Sequence, residues 1–416
     1  MSAFAPDVLV IGAGPAGSVV AALLAQRGYE VLVLEKVQFP RFSIGESLLA
    51  YSAQLLQEAG LLDAVVAGDF QYKNGASFVW GEHETAFNFA NKFTPGVPFT
   101  FQVVRSEFDQ LLAREAARFG ATVRHGVEIT AVTAGEQPAV TVRNETGAVE
   151  IYHPKFVLDA SGFGRTLARL LDLEKPSDFP VRAARFCHVQ DNIVAGAFDR
   201  QKIRIGIHPT LRDVWSWLIP FPNGTSSLGV VATREHIAQH TGTDEEKYWS
   251  LIAGEPRLRE LLRDAKTVRP VGEIVGYAAN VKTLHGPGFA LLGNAAEFLD
   301  PVFSSGVTIA LHSAKLAANL LDRRFRGETV SWEHEFAAPL LFGIETFRTF
   351  VNGWYDLSLQ DVIFYPNKEP QIHRMICSVL AGYAWDPANP YNGPQSARRL
   401  RALAAMCREG GTAGLT

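Results

Sequence analysis

Gly12, Gly14 and Gly17, in GAGPAG, follow the apolar run DVLVI and precede the Ala-rich stretch SVVAALLAQRG. Between a strand and a helix each glycine has a task. Gly12 permits the tight turn, Gly14 lets backbone N–H groups approach a pyrophosphate, and Gly17 lets helix and strand pack closely. Ala16 belongs to the same turn, whose helix N-terminus stabilises an anion. Glu35 ends the next apolar run, YEVLVLE, 18 residues after Gly17. An acid there can hydrogen-bond a ribose hydroxyl. The chemistry on offer is dinucleotide binding.

A second group of residues speaks to reactivity. In VWSWLIPFPNG (214–224) two tryptophans stand two apart. On a strand, period-2 alternation sends Trp215 and Trp217 to one face, where two indoles make a rigid wall. Such pairs commonly pack cores, so the wall alone does not define a site. Lys73, in YKNGASFVW, stands at the start of a predicted strand. It is either a surface lysine or, inside a dry site, an amine that loses its proton easily. Ser305 and Gly306 precede an apolar helical stretch, so their N–H groups offer an anion site or an ordinary helix entry. His312, within Ala-rich sequence, reads as a core histidine.

Bulk properties narrow the class. The chain has 416 residues, is 47% hydrophobic and 20% charged, and carries a net charge of −4. That length accommodates two or three domains, and the charge offers no global field for nucleic acid. The first residues, MSAFAPDVLVIGAG, lack a basic segment before the apolar run, which reads as a buried strand and not a signal peptide. No apolar stretch is long enough for a membrane span. Cys187, Cys377 and Cys407 are widely spaced and odd in number, which predicts a reducing cytoplasm and no disulfide framework. No metal site is expected. The 27 phenylalanines suit large cores and aromatic pockets alike.

Elements that must position these residues follow from periodicity. The first 35 residues form a βαβ unit, hence a parallel sheet. Residues 47–62 read as one amphipathic helix, and GASFVW, TAFNF and FTFQVV (75–104) as antiparallel strands. SEFDQLLAREAARF (106–119) reads as a helix capped by Ser106. From about 181 to 270 short alternating strands form a largely antiparallel sheet. FALLG then returns to parallel-strand character ahead of a helix. The predicted fold is α/β: a Rossmann-like dinucleotide domain (1–75, 100–180 and 270–330), an interleaved β-sheet substrate domain (76–99 and 181–269), and a C-terminal helical region (331–416). The final REGGTAGLT is expected to fray.

Several stretches resemble flavoproteins of known kind. VLDASGFG (157–164) and GFALLGNAAEFLDPVFSSGV (288–307) are similar to the two later fingerprints of the p-hydroxybenzoate-hydroxylase type. Asn294 stands where that type usually has Asp, which keeps a donor and an acceptor but loses the charge. WSWLIP matches the W-x-W-x-I-P signature of flavin-dependent halogenases. PRFSIGESLL (40–49), Lys73 ahead of Gly75-Ala76, and DPVFSSGV resemble further segments of that family. The resemblance runs from residue 7 to about 320. It implies FAD bound by Gly12, Gly14, Ala16, Gly17, Glu35, Arg41, Ser47, Arg105, Asp159, Gly293, Asn294, Pro301, Gly306 and Val307. It further implies chloride or bromide at Ser305 and Gly306, and catalytic roles for Lys73, Trp215 and Trp217. Arg41 and Arg105 also admit a reading as simple surface ion pairs, and Glu46 as a helix cap or a contact to the reduced flavin.

The resemblance implies a halogenation chemistry. Reduced FAD, supplied by a separate flavin reductase, would activate oxygen, and halide would be converted to hypohalous acid. The tryptophan wall would keep substrate from flavin, and Lys73 would relay the halogen to an electron-rich ring. The chain length and FNFANKFTPGVPFTF (87–101) favour a phenol or pyrrole, free or tethered to a carrier protein. RRLRALAAMCR (398–408) reads as a basic helix that can face an acidic carrier or simply solvent. Competing expectations are a flavin monooxygenase hydroxylating a phenol, a geranylgeranyl-reductase-like enzyme docking through residues 331–364, and a flavin-binding protein without turnover.

Overall fold

The computed structural model describes residues 5–412. Among these, a six-stranded sheet runs in the order 285–286, Phe289–Leu291, Phe156–Asp159, Val8–Ile11, Val31–Glu35, Thr122–His125. Its five longer strands are mutually parallel. The four inner ones are almost wholly apolar because both faces are covered, as parallel sheets require, whereas the edge strand Thr122–His125 is polar and unburied. Helix Pro15–Ala25 opens with Pro at its first turn and packs on helix Ser305–Phe325. Proline's fixed φ suits that opening position.

The second sheet contains 266–267, Ala183–Gln190, Thr225–Ala232, Trp215–Pro220, Lys202–Ile207, Gly75–Trp80 and His83–Asn88, in that spatial order. Its pairs are antiparallel except Lys202–Ile207 with Gly75–Trp80. Strand Gly272–Val275 also pairs with Ala183–Gln190, so this sheet extends to residue 275. Period-2 alternation decides what each face of Trp215–Pro220 meets. Trp215, Trp217 and Ile219 join the main core, whereas Leu218 joins a smaller core with Leu228, Tyr248 and Leu258.

FTFQVV does form an antiparallel strand: Thr100–Gln102 pairs with Gln71–Lys73 in a separate two-stranded ribbon. Two expectations need correction. The 47–62 helix is two helices, Ala50–Glu58 and Leu62–Val66, separated at Gly60 with φ +71°. Ser106 is not a cap: helix Arg105–Arg118 starts one residue earlier, after extended Val104, without a side-chain cap. The C-terminal region is helical, and helix Ser396–Thr412 continues into REGGTAGLT. Residues 413–416 lie outside the described residues.

Candidate active site

The glycine turn behaves as its spacing predicts. Gly12 has φ +94°, and a Cβ on it would meet the Ala160 carbonyl oxygen at 2.7 Å. A Cβ on Gly17 would drive into the Gly12 carbonyl oxygen, so helix and turn approach as only glycine allows. Glu35 ties its strand to this turn: one carboxylate oxygen accepts from Ala13 N (2.9 Å) and the other from Val37 N (3.0 Å). Each oxygen keeps a lone pair for a ribose hydroxyl.

From this turn a cavity of about 760 Å³ runs between the two sheets. Gly12, Gly14, Ala16, Glu35, Arg41, Ser47 and Arg105 line it from one side. Asn294, Pro301, Ser305, Gly306 and Val307 line it from another, and Trp215 and Trp217 form its substrate-sheet wall. Gly17, Lys73, Asp159 and Gly293 do not line it; they stand behind the lining. Asp159 accepts from Ser161 N (2.9 Å) and Leu167 N (2.6 Å), which shapes the turn at Ala160–Gly164. Gly293 N donates to Ser313 Oγ at 3.0 Å, fixing Asn294 against helix Ser305–Phe325.

Arg105 is buried. It holds Asp109 through Nε (2.7 Å) and Nη2 (3.0 Å), and its Nη1 donates to Ile44 O (2.7 Å). It thereby ties the 44–47 segment to its helix. Arg41, at the cavity mouth, lies 3.3 Å from the same Asp109. Glu46 meets His188 Nε2 at 2.6 Å, a pairing 142 residues apart that no local pattern announces.

The cavity suits FAD on an observation independent of motif. Asn294 Oδ1 is buried and has no hydrogen-bond partner among the described residues. Buried acceptors are normally satisfied, and Asn294 lines the cavity, so its unpaired amide oxygen beside Gly306 fits a ligand donor, such as a ribityl hydroxyl. The loss of charge at Asn294 therefore leaves an acceptor in place.

The tryptophan wall is both core and cavity surface. Trp215 and Trp217 are 2% and 5% exposed, and their ring centroids lie 6.0 Å apart. Each indole N–H is satisfied, Trp215 by Tyr355 Oη and Trp217 by Ser227 Oγ, both at 3.1 Å. Gly229 sits opposite Trp217 in register, and a Cβ there would enter the indole ring. The glycine in SSLGVVAT thus makes room for the wall.

Lys73 is fully buried, with 0% exposure. Nζ donates to Ser47 Oγ (2.8 Å) and Leu48 O (2.7 Å), and lies 5.4 Å from the Phe89 ring centroid. Burial pushes its pKa from the usual 10.5 down to about 7. Ser47 lines the cavity and accepts from Lys73 Nζ, so one residue links the buried amine to the cavity wall.

His312 donates to or accepts from Tyr51 Oη (3.1 Å) and stacks on Trp385; burial holds its pKa down at about 3. It is a neutral core histidine. His236 and His240 stand four apart in HIAQH, yet among the described residues no group of three or more His, Cys, Asp or Glu could hold a metal. Among the same residues no helix is long and apolar enough to cross a membrane.

Comparison with known proteins agrees with this geometry. The FAD binding domain family model matches residues 5–271. The chain is 31% identical over 408 residues to 1H-pyrrole-2-carbonyl-[peptidyl-carrier protein] chlorinase from Pseudomonas fluorescens, covering 90% of this chain and 89% of that one. Among solved structures, a flavoprotein/dehydrogenase from Cytophaga hutchinsonii superposes with a TM-score of 0.94 and 42% identity, over 98% of this chain and 100% of that one. The flavin-dependent brominase Bmp2 superposes with a TM-score of 0.82 and 25% identity, over 98% and 100%. With its FAD cavity, its W-x-W-x-I-P strand and these relatives, the chain belongs to the flavin-dependent halogenases.

Proposed function

We propose that this enzyme uses reduced FAD, oxygen and chloride or bromide to halogenate an electron-rich phenol or pyrrole, with Lys73 passing on the halogen. The observation that carries the reading is Lys73 itself: a fully buried amine with a pKa near 7, bonded to a serine that lines the cavity. A lysine with no catalytic duty gains nothing from such a position, since burying an ammonium is costly.

When bound and reduced, FAD supplies the activation of oxygen. The chain's residues would do the rest. Ser305 and Gly306 present N–H groups at the start of a 21-residue helix, where the dipole favours an anion. Trp215 and Trp217 occlude the substrate side of the cavity, so an oxidant at the flavin does not meet the ring directly. Hypohalous acid reaching Lys73 meets an amine with an available lone pair. The N–X bond forms as the O–X bond breaks, and the released hydroxide takes an amine proton to leave as water. The ring carbon then takes X from nitrogen, and the ring proton returns to the amine. A Lys73 that only hydrogen-bonds the acid would polarise the same O–X bond.

Similarity to a chlorinase acting on pyrrolyl carrier protein supports a tethered ring as one substrate form. Arg398, Arg399 and Arg401 on the exposed face of helix Ser396–Thr412 would then meet an acidic carrier. Residues 331–364 offer little to a membrane-docking reading, because Phe336, Phe347, Phe350 and Trp354 are all 0% exposed.

The test is aerobic incubation with pre-reduced FAD, bromide and either a simple phenol or a pyrrolyl carrier protein, with products read by mass. Brominated ring is expected. Hydroxylated ring would assign a monooxygenase. Peroxide alone, with the ring untouched, would overturn halogenation and favour a flavin-binding protein without turnover.

A further inference from the structure

Behind the cavity lies a buried polar chain. Trp215 Nε1 donates to Tyr355 Oη (3.1 Å), and Tyr355 Oη donates to Asp300 Oδ2 (2.8 Å). Tyr277 Oη donates to the same oxygen (3.0 Å), while Asp300 Oδ1 accepts from Val302 N (3.0 Å). Asp300 is 4% exposed. A carboxylate this deep persists only if its lone pairs are occupied, and here three donors occupy them.

The two ends of this chain do different things. At one end, Trp215 lines the cavity from the substrate sheet. At the other, Asp300 caps the short turn Pro301–Phe303, which passes through Ser304 at φ +55° into the helix beginning at Ser305. Pro301, Ser304, Ser305 and Gly306 line the cavity from the cofactor side. Left-handed backbone at a serine persists only where its surroundings hold it. The Asp300–Val302 bond is one such hold.

We propose that Asp300 is a positioning residue that keeps the tryptophan wall and the 301–306 cofactor loop in register, with Tyr355 as the link between them. One carboxylate sets the loop turn through the Val302 amide and the Trp215 ring plane through the phenol. Displacing the indole therefore loosens the loop, although Trp215 and Ser305 lie on different elements. The inference rests on FAD occupying this cavity and holds for any ring substrate.

The test uses FAD-loaded protein and four variants: Tyr355→Phe, Trp215→Phe, their double and Asp300→Asn. Phe keeps the ring of Tyr355 and loses only its hydroxyl; at Trp215 it keeps an aromatic side chain but loses the N–H together with part of the ring system. Amide hydrogen exchange is followed in the peptide spanning 298–307, beside FAD release and the visible circular dichroism of the bound flavin. Each single variant is expected to exchange there about threefold faster or more, to release FAD faster and to alter the flavin band. Because Trp215 reaches Asp300 only through Tyr355, the double variant should be no worse than Tyr355→Phe alone. Asp300→Asn, whose NH2 cannot accept from the two phenols, should show the largest change. Parent-like exchange at 298–307 in folded Trp215→Phe overturns the proposal. So do additive effects in the double variant, which would mean two separate structural roles. Absence of halogenated product from the parent enzyme would count against halogenation while leaving these readouts intact.

Discussion

Lys73 concentrates the residue-scale argument. Its Nζ sits among apolar atoms with only Ser47 Oγ and Leu48 O to receive its protons. Lys73→Ala should leave flavin reduction and reoxidation by oxygen unchanged and abolish ring halogenation, as measured by product per oxygen consumed. Unchanged product would return Lys73 to a structural role. A second prediction concerns stability. The folded pKa of about 7 lies below the usual 10.5. Between these values the unfolded chain binds the proton that the folded chain does not, so this residue makes stability rise with pH across that window. Below about pH 7 the penalty is constant. Lys73→Met removes it but leaves two acceptors unpaired. The variant is therefore expected to be more stable by about 2–4 kcal/mol at pH 6, with the gain gone near pH 10. Urea melts across that range check it; a gain that grows with pH would contradict the burial argument.

At the scale of elements, the strand Trp215–Pro220 owes its shape to its neighbour. Gly229 is the residue on Thr225–Ala232 that admits the Trp217 indole. Gly229→Ala should cost about 1–3 kcal/mol and shift that indole. The clash falls on indole atoms that a phenylalanine lacks, so the same change in a Trp217→Phe background should be nearly silent. Equal costs in both backgrounds would show that the strand, and not the ring, resists the methyl. Replacing both tryptophans by Phe should cost about 1–3 kcal/mol and leave a folded protein. If the wall partitions the cavity, that variant yields less halogenated product and more peroxide per oxygen. Unaltered coupling in folded, FAD-loaded protein would reduce the pair to core packing.

For the whole molecule, one cavity joins two sheets that the chain builds from interleaved segments. The glycine turn lines it from the parallel sheet and the indole wall from the antiparallel one, with the start of helix Ser305–Phe325 lining the space between them. The sequence carries one G-x-G-x-x-G turn, which we assign to FAD. Turnover should therefore fail with NADH or NADPH alone and appear when a separate flavin reductase or chemically reduced FAD is added. Sustained oxygen consumption with NADH and no reductase would rule out a two-component system.

What the sequence by itself determined lies within a few residues of itself. The βαβ unit, the Gly12–Gly17 turn, the acid at Glu35 and the shared face of Trp215 and Trp217 follow from periods of 2 and 3.6 and from glycine's missing Cβ. The resemblance of WSWLIP and Lys73 to the halogenase pattern was legible because each is a short contiguous motif. Everything decided by register and long-range pairing was not. Ser106 seemed a cap, but the cap position falls two residues earlier, at Val104. FTFQVV read as an antiparallel strand, but nothing local named its partner, Gln71–Lys73, the segment that delivers the lysine. Arg105 read as a possible surface pair and is instead buried on Asp109. Gly229 beneath Trp217, Glu46 on His188, and Asp300 between Tyr277 and Tyr355 join residues whose separations run from 12 to 142 positions. Local propensity carries no information about which strand will lie beside which. Packing two sheets around one cavity settled those contacts, and with them which side chains reach the reacting space.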